Sequence, residues 1–272
     1  MDLIQALILG LVQGATEFLP VSSSGHLVLV PWLLSWPAPG LAFDAFLHLG
    51  TAVAVIAYFW RDLLSLARAW LGSLRDRSLT ASPQSRIAWL ILLGTVPAAL
   101  AGVLLEDFFE TLFASPAAVG VFLLLTAALL TVSERWGRQE QQAEEMTWLD
   151  GLLVGLGQAC AIAPGLSRSG TTIAAGLWRG LTRPVATRFS FLLAVPIVVG
   201  AGLLQARWLL AGVDTPWLPL VVGFLASAGM GYLCIHFLLA FVQRRRLYVF
   251  AGYCAATGVI TLTLVALGWL GR

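Results

Sequence analysis

Six apolar stretches dominate this sequence, and each is long enough to cross a bilayer as a helix, which takes about 20 residues. They are Leu41–Trp60, Ile87–Leu105, Pro116–Val132, Phe189–Leu210, Trp217–Val242 and Leu247–Leu270. Charged residues make up 11% of the chain, less than half of the roughly 25% typical of a soluble domain. We therefore predict an all-α polytopic membrane protein, and we exclude a soluble enzyme and a disordered chain. The formal charge of +2 is too small to indicate a nucleic-acid partner.

Two further apolar regions are each interrupted by a polar turn. Each region consists of a longer and a shorter apolar segment, Leu3–Leu19 with His26–Trp36 and Leu149–Ala163 with Thr171–Gly180. The interruptions contain a proline and then Ser-Ser-Ser-Gly in the first region and Ser-Arg-Ser-Gly in the second. Non-helical backbone at membrane depth is tolerated only inside protein or beside water. We predict two re-entrant helix–loop–helix hairpins, each entering and leaving on one side of the membrane.

Arginine occurs mainly in alternate connections between these segments. The arginines expected on one side are Arg61, Arg68, Arg75, Arg77, Arg86, Arg135, Arg138, Arg179, Arg183, Arg188, Arg244, Arg245 and Arg246. Cytoplasmic loops are enriched in basic residues, so this side is predicted to be the inside. The first hairpin then enters from outside and the second from inside.

The sequence matches itself at an offset of 145 residues. Gln13 then falls on Gln158, and the Ser-x-Ser-Gly of the first turn falls on that of the second. We predict a single membrane domain over 1–272 with internal repeats at about 1–135 and 146–272. Each half contains one hairpin and three spans, and because three is odd the halves have opposite orientations. Such inverted repeats bind ligands near the bilayer centre, where the halves meet.

The two turns carry different chemical groups. The first has the side chains for nucleophilic attack with acid–base assistance, namely Gln13, Glu17, Ser22, Ser23 and His26. The second has the groups of an anion-binding site. The guanidinium of Arg168 can donate two parallel hydrogen bonds to a phosphate. Its neighbours at the start of the following helix are Ser167, Ser169, Gly170 and Thr172. An ionisable group near the bilayer centre indicates function by default. A packing kink or a structural ion pair is the alternative, although neither explains why hydroxyls and an imidazole share these turns.

At these residues the chain resembles the undecaprenyl-diphosphate phosphatase family, the bacitracin-resistance phosphatases. Two motifs carry the resemblance, Gln13-x-x-x-Glu17 running into Pro20–His26, and Pro164–Gly170. Similar segments occur at His48–Thr51, at Gly94–Ala98 and at Arg188–Leu192, so the resemblance covers essentially the whole chain.

The resemblance implies hydrolysis of undecaprenyl diphosphate to the monophosphate and inorganic phosphate, which recycles the cell-wall lipid carrier. It implies Glu17 as the essential carboxylate and Ser23 as the favoured nucleophile beside Ser22. His26 is the general acid or base, or an alternative nucleophile. Arg168 binds phosphate with help from Ser167, Ser169, Gly170 and Thr172.

The resemblance also implies a divalent metal ion, Mg²⁺ or Ca²⁺. The candidate ligands are Glu17, Gln13 and Asp44. Asp44 and His48 share a helix face, and the alternative to a role at the metal is that they form a local polar pair. Many family members have Glu at the position of Gln13, and an amide is a weaker metal ligand than a carboxylate.

The expected location is the bacterial inner membrane, with a reaction centre open to the outer face. The expected partners are the polyisoprenyl diphosphate and membrane lipids, and a homodimer stays open. A lipid-phosphate flippase or an anion transporter is the rival function, because the same inverted repeat and anion site would serve translocation.

Overall fold

The fold is entirely helical within the residues that the structure, a computed structural model, describes: 1–105, 115–210 and 217–268. Ten α-helices lie in these ranges: α1 (Leu3–Phe18), α2 (Ser23–Leu34), α3 (Leu41–Arg75), α4 (Pro83–Leu104), α5 (Pro116–Trp136), α6 (Trp148–Cys160), α7 (Arg168–Trp178), α8 (Arg183–Leu210), α9 (Trp217–Val242) and α10 (Tyr248–Ala266). A 3₁₀ turn at Ala143–Glu145 precedes α6.

Six of these helices are long and apolar enough to cross a membrane, namely α3, α4, α5, α8, α9 and α10. The prediction of an all-α polytopic protein is therefore confirmed. The predicted segments correspond closely to the helices with two exceptions. Helix α8 was expected to begin at Phe189 and begins at Arg183. Helix α3 was expected to end at Trp60 and continues to Arg75 beyond a kink at Phe59 (φ −101°, ψ 17°). The apolar run stops at Trp60, but the residues that follow are mostly Leu, Ala and Arg, which are good helix formers. The last predicted span ended at Leu270, which lies outside the described residues.

The helices of the two interrupted regions pack against spanning helices that are distant in sequence. Helix α1 lies on α9, and α6 lies on α4. A Cβ atom added at Gly10 of α1 would lie 2.5 Å from the carbonyl oxygen of Gly223, and one added at Gly155 of α6 would lie 2.4 Å from that of Gly94. Gly10 and Gly155 coincide at the offset of 145 residues. Both helices therefore approach their partners backbone to backbone, at equivalent positions.

Ion pairs join several helix termini at one end of the bundle. The carboxylate of Glu134, near the end of α5, accepts hydrogen bonds from Arg183 Nε (2.8 Å) and Nη2 (2.7 Å) and from the backbone N–H of Leu247 (2.9 Å). Asp150, in the first turn of α6, accepts a hydrogen bond from Arg179 Nε (2.5 Å), at the end of α7. Helix α6 thus begins, and α7 ends, at the same end of the molecule.

The backbone contact between α6 and α4 leads to a stability prediction. We expect Gly155→Ala to lower the unfolding temperature of the detergent-solubilised protein by several degrees, because the new methyl group overlaps the Gly94 backbone. Overpacking of this kind costs about 1–3 kcal/mol. A thermal-unfolding measurement followed by size-exclusion chromatography tests this.

Gly252→Ala is the matched control, since nothing lies within 4 Å of a Cβ at that position. It should unfold at or slightly above the wild-type temperature. Equal unfolding temperatures for the two variants would contradict a close packing of α6 on α4.

Candidate active site

The two polar turns, which lie about half the chain apart in sequence, meet in the structure. Arg168 at the start of α7 donates a hydrogen bond from Nη2 to Oε1 of Glu17 in α1. Ser169 Oγ donates to the backbone carbonyl of Leu19 (3.1 Å). The sequence predicted that these turns would come together, and in the structure the acid–hydroxyl–imidazole turn does face the arginine turn.

The same capping arrangement starts the short helix after each turn. Ser22 is the N-cap of α2 and its hydroxyl accepts a hydrogen bond from the backbone N–H of Gly25 (3.3 Å), while Ser167 caps α7 and accepts from Gly170 (3.1 Å). Serine is among the preferred N-cap residues because its oxygen satisfies a donor of the first helical turn. These four residues coincide at the offset of 145, so the predicted equivalence of the turns extends to their hydrogen bonds.

The backbone of Ser22 lies in the left-handed region, with φ of 72° and ψ of 101°. A non-glycine residue adopts such angles rarely, and they persist where the surroundings hold them. The carbonyl oxygen of Ser22 accepts hydrogen bonds from the backbone N–H of His26 (3.3 Å) and from its ring Nδ1 (2.7 Å). His26 therefore stabilises the conformation that determines where the next residue, Ser23, points.

The Glu17 carboxylate is the centre of the site. Its Oε2 accepts hydrogen bonds from Ser23 Oγ (2.6 Å) and from Gln13 Nε2 (3.0 Å), and its Oε1 accepts from Arg168. His48 Nε2 lies 4.0 Å from Oε2. Glu17 is only 8% exposed, so these donors replace water around the charge, as a buried carboxylate requires. Ser23 is thus held by a candidate base before any substrate arrives.

Two buried polar atoms beside Glu17 have no hydrogen-bond partner among the described residues. They are Nη1 of Arg168 and Oε1 of Gln13. Buried polar groups are nearly always satisfied, and an exception needs an explanation. A bound ligand would satisfy both, because Arg168 Nη1 can donate to an anion and Gln13 Oε1 can coordinate a cation.

The other predicted phosphate-binding residues are engaged within the protein. The hydroxyls of Ser167 and Ser169 are 3.2 Å apart, and the Gly170 N–H is held by its cap. Thr172 is fully buried, with its hydroxyl 2.6 Å from that of Ser190. These contacts shape the turn that presents Arg168, and direct phosphate contacts by these four residues stay predictions.

The site offers an incomplete set of metal ligands. No group of three or more His, Cys, Asp or Glu side chains able to hold a metal occurs in the described ranges. The donors near Glu17 are the Gln13 oxygen and His48. Asp44 Oδ1 is buried without a hydrogen-bond partner among the described residues, while His48 Nδ1 lies 2.8 Å from the backbone carbonyl of Asp44. A Mg²⁺ ion held by Glu17 and Gln13 would complete its shell with water and substrate phosphate, as Mg²⁺ commonly does in proteins.

Two residues of the site were missed or underrated by the sequence reasoning. Tyr253 of α10 has its hydroxyl 2.6 Å from His26 Nε2. His48, treated as part of a pair with Asp44, has its Nε2 4.0 Å from Glu17 Oε2. The sequence signal for Tyr253 was a tyrosine within an apolar span, and tyrosines at the membrane interface give the same signal.

Comparison with known proteins gives one family. The family model "Bacitracin resistance protein BacA" matches residues 6–260. The chain belongs to this family. It is similar to an undecaprenyl-diphosphatase of Rubrobacter xylanophilus, at 49% identity over 98% of this chain and all of the relative. It is also similar to proteins of the same name from Thermomicrobium roseum (46% identity, 98% and 99% covered) and Methanosphaera stadtmanae (45% identity, 97% and 98% covered).

The contact between Glu17 and Arg168 predicts non-additive effects on stability. Glu17→Ala and Arg168→Ala should each lower the free energy of unfolding by about 3 kcal/mol, because each leaves the partner charge buried and unpaired. The double variant should lose clearly less than the sum of the two. Denaturant or thermal unfolding of the four proteins in detergent measures this coupling, and additive losses would mean that the pair does not form.

Proposed function

We propose that the protein is an undecaprenyl-diphosphatase, which converts undecaprenyl diphosphate to undecaprenyl phosphate and inorganic phosphate. The observation that carries this function is the hydrogen-bonded array of Ser23, Glu17 and Arg168 across the two turns. It joins a nucleophile, a base and a phosphate-binding cation within one buried site. Membership of the family and the names of the relatives support the same activity, in which recycling of the lipid carrier confers bacitracin resistance.

The charges at the site suit a lipid diphosphate headgroup. Arg168 Nη1 can donate a hydrogen bond to a phosphate oxygen. Helices α2 and α7 both begin at the site, and the N–H groups of a first helical turn favour anions. The isoprenoid tail remains among the lipids, and only the headgroup needs to reach the turns. Both turns come from one chain, so this pocket requires no second copy, although a homodimer remains compatible with it.

In the proposed reaction, Ser23 Oγ attacks the terminal phosphorus. A bond forms between this oxygen and phosphorus, the anhydride P–O bond breaks, and undecaprenyl phosphate leaves with the bond electrons. Glu17 takes the hydroxyl proton, since its Oε2 lies 2.6 Å from Ser23 Oγ. Water then hydrolyses the phosphoserine and releases inorganic phosphate. Positioning and charge stabilisation supply most of the catalysis of phosphoryl transfer.

Arg168 links substrate binding to the activation of Ser23. Before substrate binds, its guanidinium pairs with Glu17 and stabilises the carboxylate in its ionised form. A phosphate that draws the guanidinium toward itself weakens that pair and leaves Glu17 a stronger base. The proton of Ser23 is therefore removed most readily when a phosphate is in place.

The position of His26 favours Ser23 as the nucleophile. Both ring nitrogens of His26 are already in short contacts, Nδ1 with the Ser22 carbonyl (2.7 Å) and Nε2 with Tyr253 (2.6 Å). A nucleophilic His26 would have to break one of them. Among the described residues, the Ser23 hydroxyl has Glu17 as its one hydrogen-bond partner, which is the arrangement of an activated nucleophile.

A divalent cation is proposed to be held by Gln13 Oε1 and Glu17, with His48 close by. It would neutralise phosphate charge and polarise the phosphoryl group. Asp44 remains a candidate ligand because its Oδ1 is buried without a hydrogen-bond partner among the described residues, although the contacts of Glu17 do not include it. The protein's own residues hold Ser23 and Arg168 in place independently of the cation.

The structure supports a membrane arrangement of two re-entrant hairpins, α1–α2 and α6–α7, in an inverted repeat. Asp150 and Arg179 bring the start of α6 to the end of α7, as a hairpin that returns to its own side requires. The equivalent contacts of Gly10 and Gly155 support the repeat. We place the end carrying Arg179 and Arg183 in the cytoplasm of a bacterium, with the site open to the outer face of its plasma membrane.

The activity is tested by phosphate release from undecaprenyl diphosphate in detergent. Ser23→Ala should abolish turnover, and Glu17→Gln should lower kcat by about 100-fold to 10,000-fold, the usual contribution of a general base. Ser24→Ala is the matched control. Ser24 bonds only weakly to the Ser22 hydroxyl (3.4 Å), so this variant should retain most of its activity.

Detergent removes the membrane compartments, so a flippase or an anion transporter would release no phosphate in this assay. Absence of phosphate release by the wild-type protein would favour that rival function, which the inverted repeat also suits. Wild-type turnover by Ser23→Ala would instead remove Ser23 as the nucleophile.

The cation site is tested by Gln13→Glu. This substitution places a second carboxylate where Gln13 Nε2 now lies 3.0 Å from Glu17 Oε2. The two charges repel each other without a cation and chelate one when it is present. We expect a lower unfolding temperature than wild type in EDTA, and a larger increase on adding Mg²⁺ or Ca²⁺.

Gln158→Glu is the control for this experiment. Gln158 is buried at the equivalent position of α6, where Ile162 occupies the place that Glu17 has in α1. An isolated buried carboxylate should destabilise the protein without a cation response. An equal cation response in both variants would argue against a site at Gln13 and Glu17.

A further inference from the structure

His26 is held on both sides of its ring. On one side Nδ1 lies 2.7 Å from the carbonyl oxygen of Ser22, and on the other Nε2 lies 2.6 Å from the hydroxyl of Tyr253. The rings of His26 and Tyr253 are nearly parallel, at 13°, with centroids 5.6 Å apart. His26 is 7% exposed, so the protein determines its orientation almost completely.

These contacts define the tautomer of a neutral His26. A carbonyl oxygen can only accept, so Nδ1 must carry the proton, and Nε2 is then an acceptor. The Tyr253 hydroxyl must therefore donate to Nε2. The opposite tautomer would place two acceptors against each other at Nδ1 and Ser22. Tyr253 thus stabilises the form of His26 that can hold the Ser22 carbonyl.

We propose that Tyr253 is a positioning residue for the phosphatase reaction. Its hydroxyl fixes the tautomer and orientation of His26, and His26 in turn holds the left-handed backbone of Ser22. The hydroxyl of the adjacent Ser23 is thereby kept at 2.6 Å from Glu17. The proposal rests on the proposed function for its kinetic consequence, but its structural part concerns only Tyr253, His26 and Ser22.

The arrangement explains why this tyrosine comes from the last helix. Helices α1 and α2 pack against each other, and the partner of His26 Nε2 comes instead from α10. Helix α10 packs along α5, and Tyr253 reaches from there to the imidazole. The position of the nucleophile in the first quarter of the chain thus depends on a hydroxyl near its end.

The test compares Tyr253→Phe, His26→Gln and the double variant in the phosphate-release assay. Phenylalanine keeps the stacked ring and removes only the donor. We expect Tyr253→Phe to lower kcat about tenfold, the effect of one hydrogen bond, with KM within twofold and an unfolding temperature within a few degrees of wild type. The double variant should match His26→Gln alone, since Tyr253 acts through His26.

Tyr248→Phe is the control. It makes the same substitution in the same helix, at an exposed residue that has no hydrogen bond to His26 among the described contacts, and it should leave kcat and KM unchanged. Wild-type kcat in Tyr253→Phe would overturn the proposal. Independent losses in the double variant, or a rise in KM alone, would also overturn it and would indicate a direct contact of Tyr253 with lipid.

A spectroscopic measurement separates this proposal from the proposed function. The chain contains three histidines, so ¹⁵N-histidine labelling gives a simple spectrum in which His26 is identified by its loss in His26→Gln. Wild-type protein should show the Nδ1–H tautomer, and Tyr253→Phe should shift the Nε2 resonance or populate the other tautomer. Unchanged ¹⁵N shifts in Tyr253→Phe would refute the positioning role even if the protein hydrolyses the substrate, whereas an inactive wild-type protein with shifted resonances would refute only the activity.

Discussion

The ion pair between Glu17 and Arg168 is the interaction on which the rest of the site depends. A lone charge inside a membrane protein is costly, and a pair is tolerated only when its remaining hydrogen-bonding capacity is also satisfied. Gln13 and Ser23 satisfy Glu17 here. The same contacts that stabilise the pair in apolar surroundings also hold the Ser23 hydroxyl against the Glu17 carboxylate. Stability and chemistry therefore rest on one set of hydrogen bonds, with Arg168 Nη1 left for a ligand.

The main features of the fold and the site could be predicted because they follow from local rules. Span length gave the six long apolar helices, and the rarity of intramembrane charges singled out Glu17 and Arg168. The end of α3 was predicted too early, because hydropathy indicates where the apolar run stops, at Trp60, whereas the helix continues to Arg75. Tyr253 could not be found this way, because its role depends on how α10 packs near α2, and an isolated tyrosine carries no sign of its partner.

The two turns share their caps but differ in how the backbone reverses. In the second turn the left-handed residue is Gly165 (φ 93°), which adopts this conformation without steric cost. In the first turn it is Ser22, whose carbonyl oxygen accepts two hydrogen bonds from His26. The strained turn is the one with the candidate nucleophile, and the relaxed turn is the one with the anion-binding arginine. The strained residue thus directly precedes the proposed nucleophile, and strain of this kind is common in active sites.

The contacts of Gly10 and Gly155 have a consequence for how such a chain arose. Helices α1 and α6 each pack closely on a spanning helix that belongs to the opposite half of the sequence. If the halves descend from one ancestral gene and are inverted as proposed, that shorter protein would have needed a second molecule in the opposite orientation beside it to supply these surfaces. Gene fusion would then have joined in one chain a pairing that first existed between separate chains, leaving the two copies free to diverge into an acid–hydroxyl side and a cationic side.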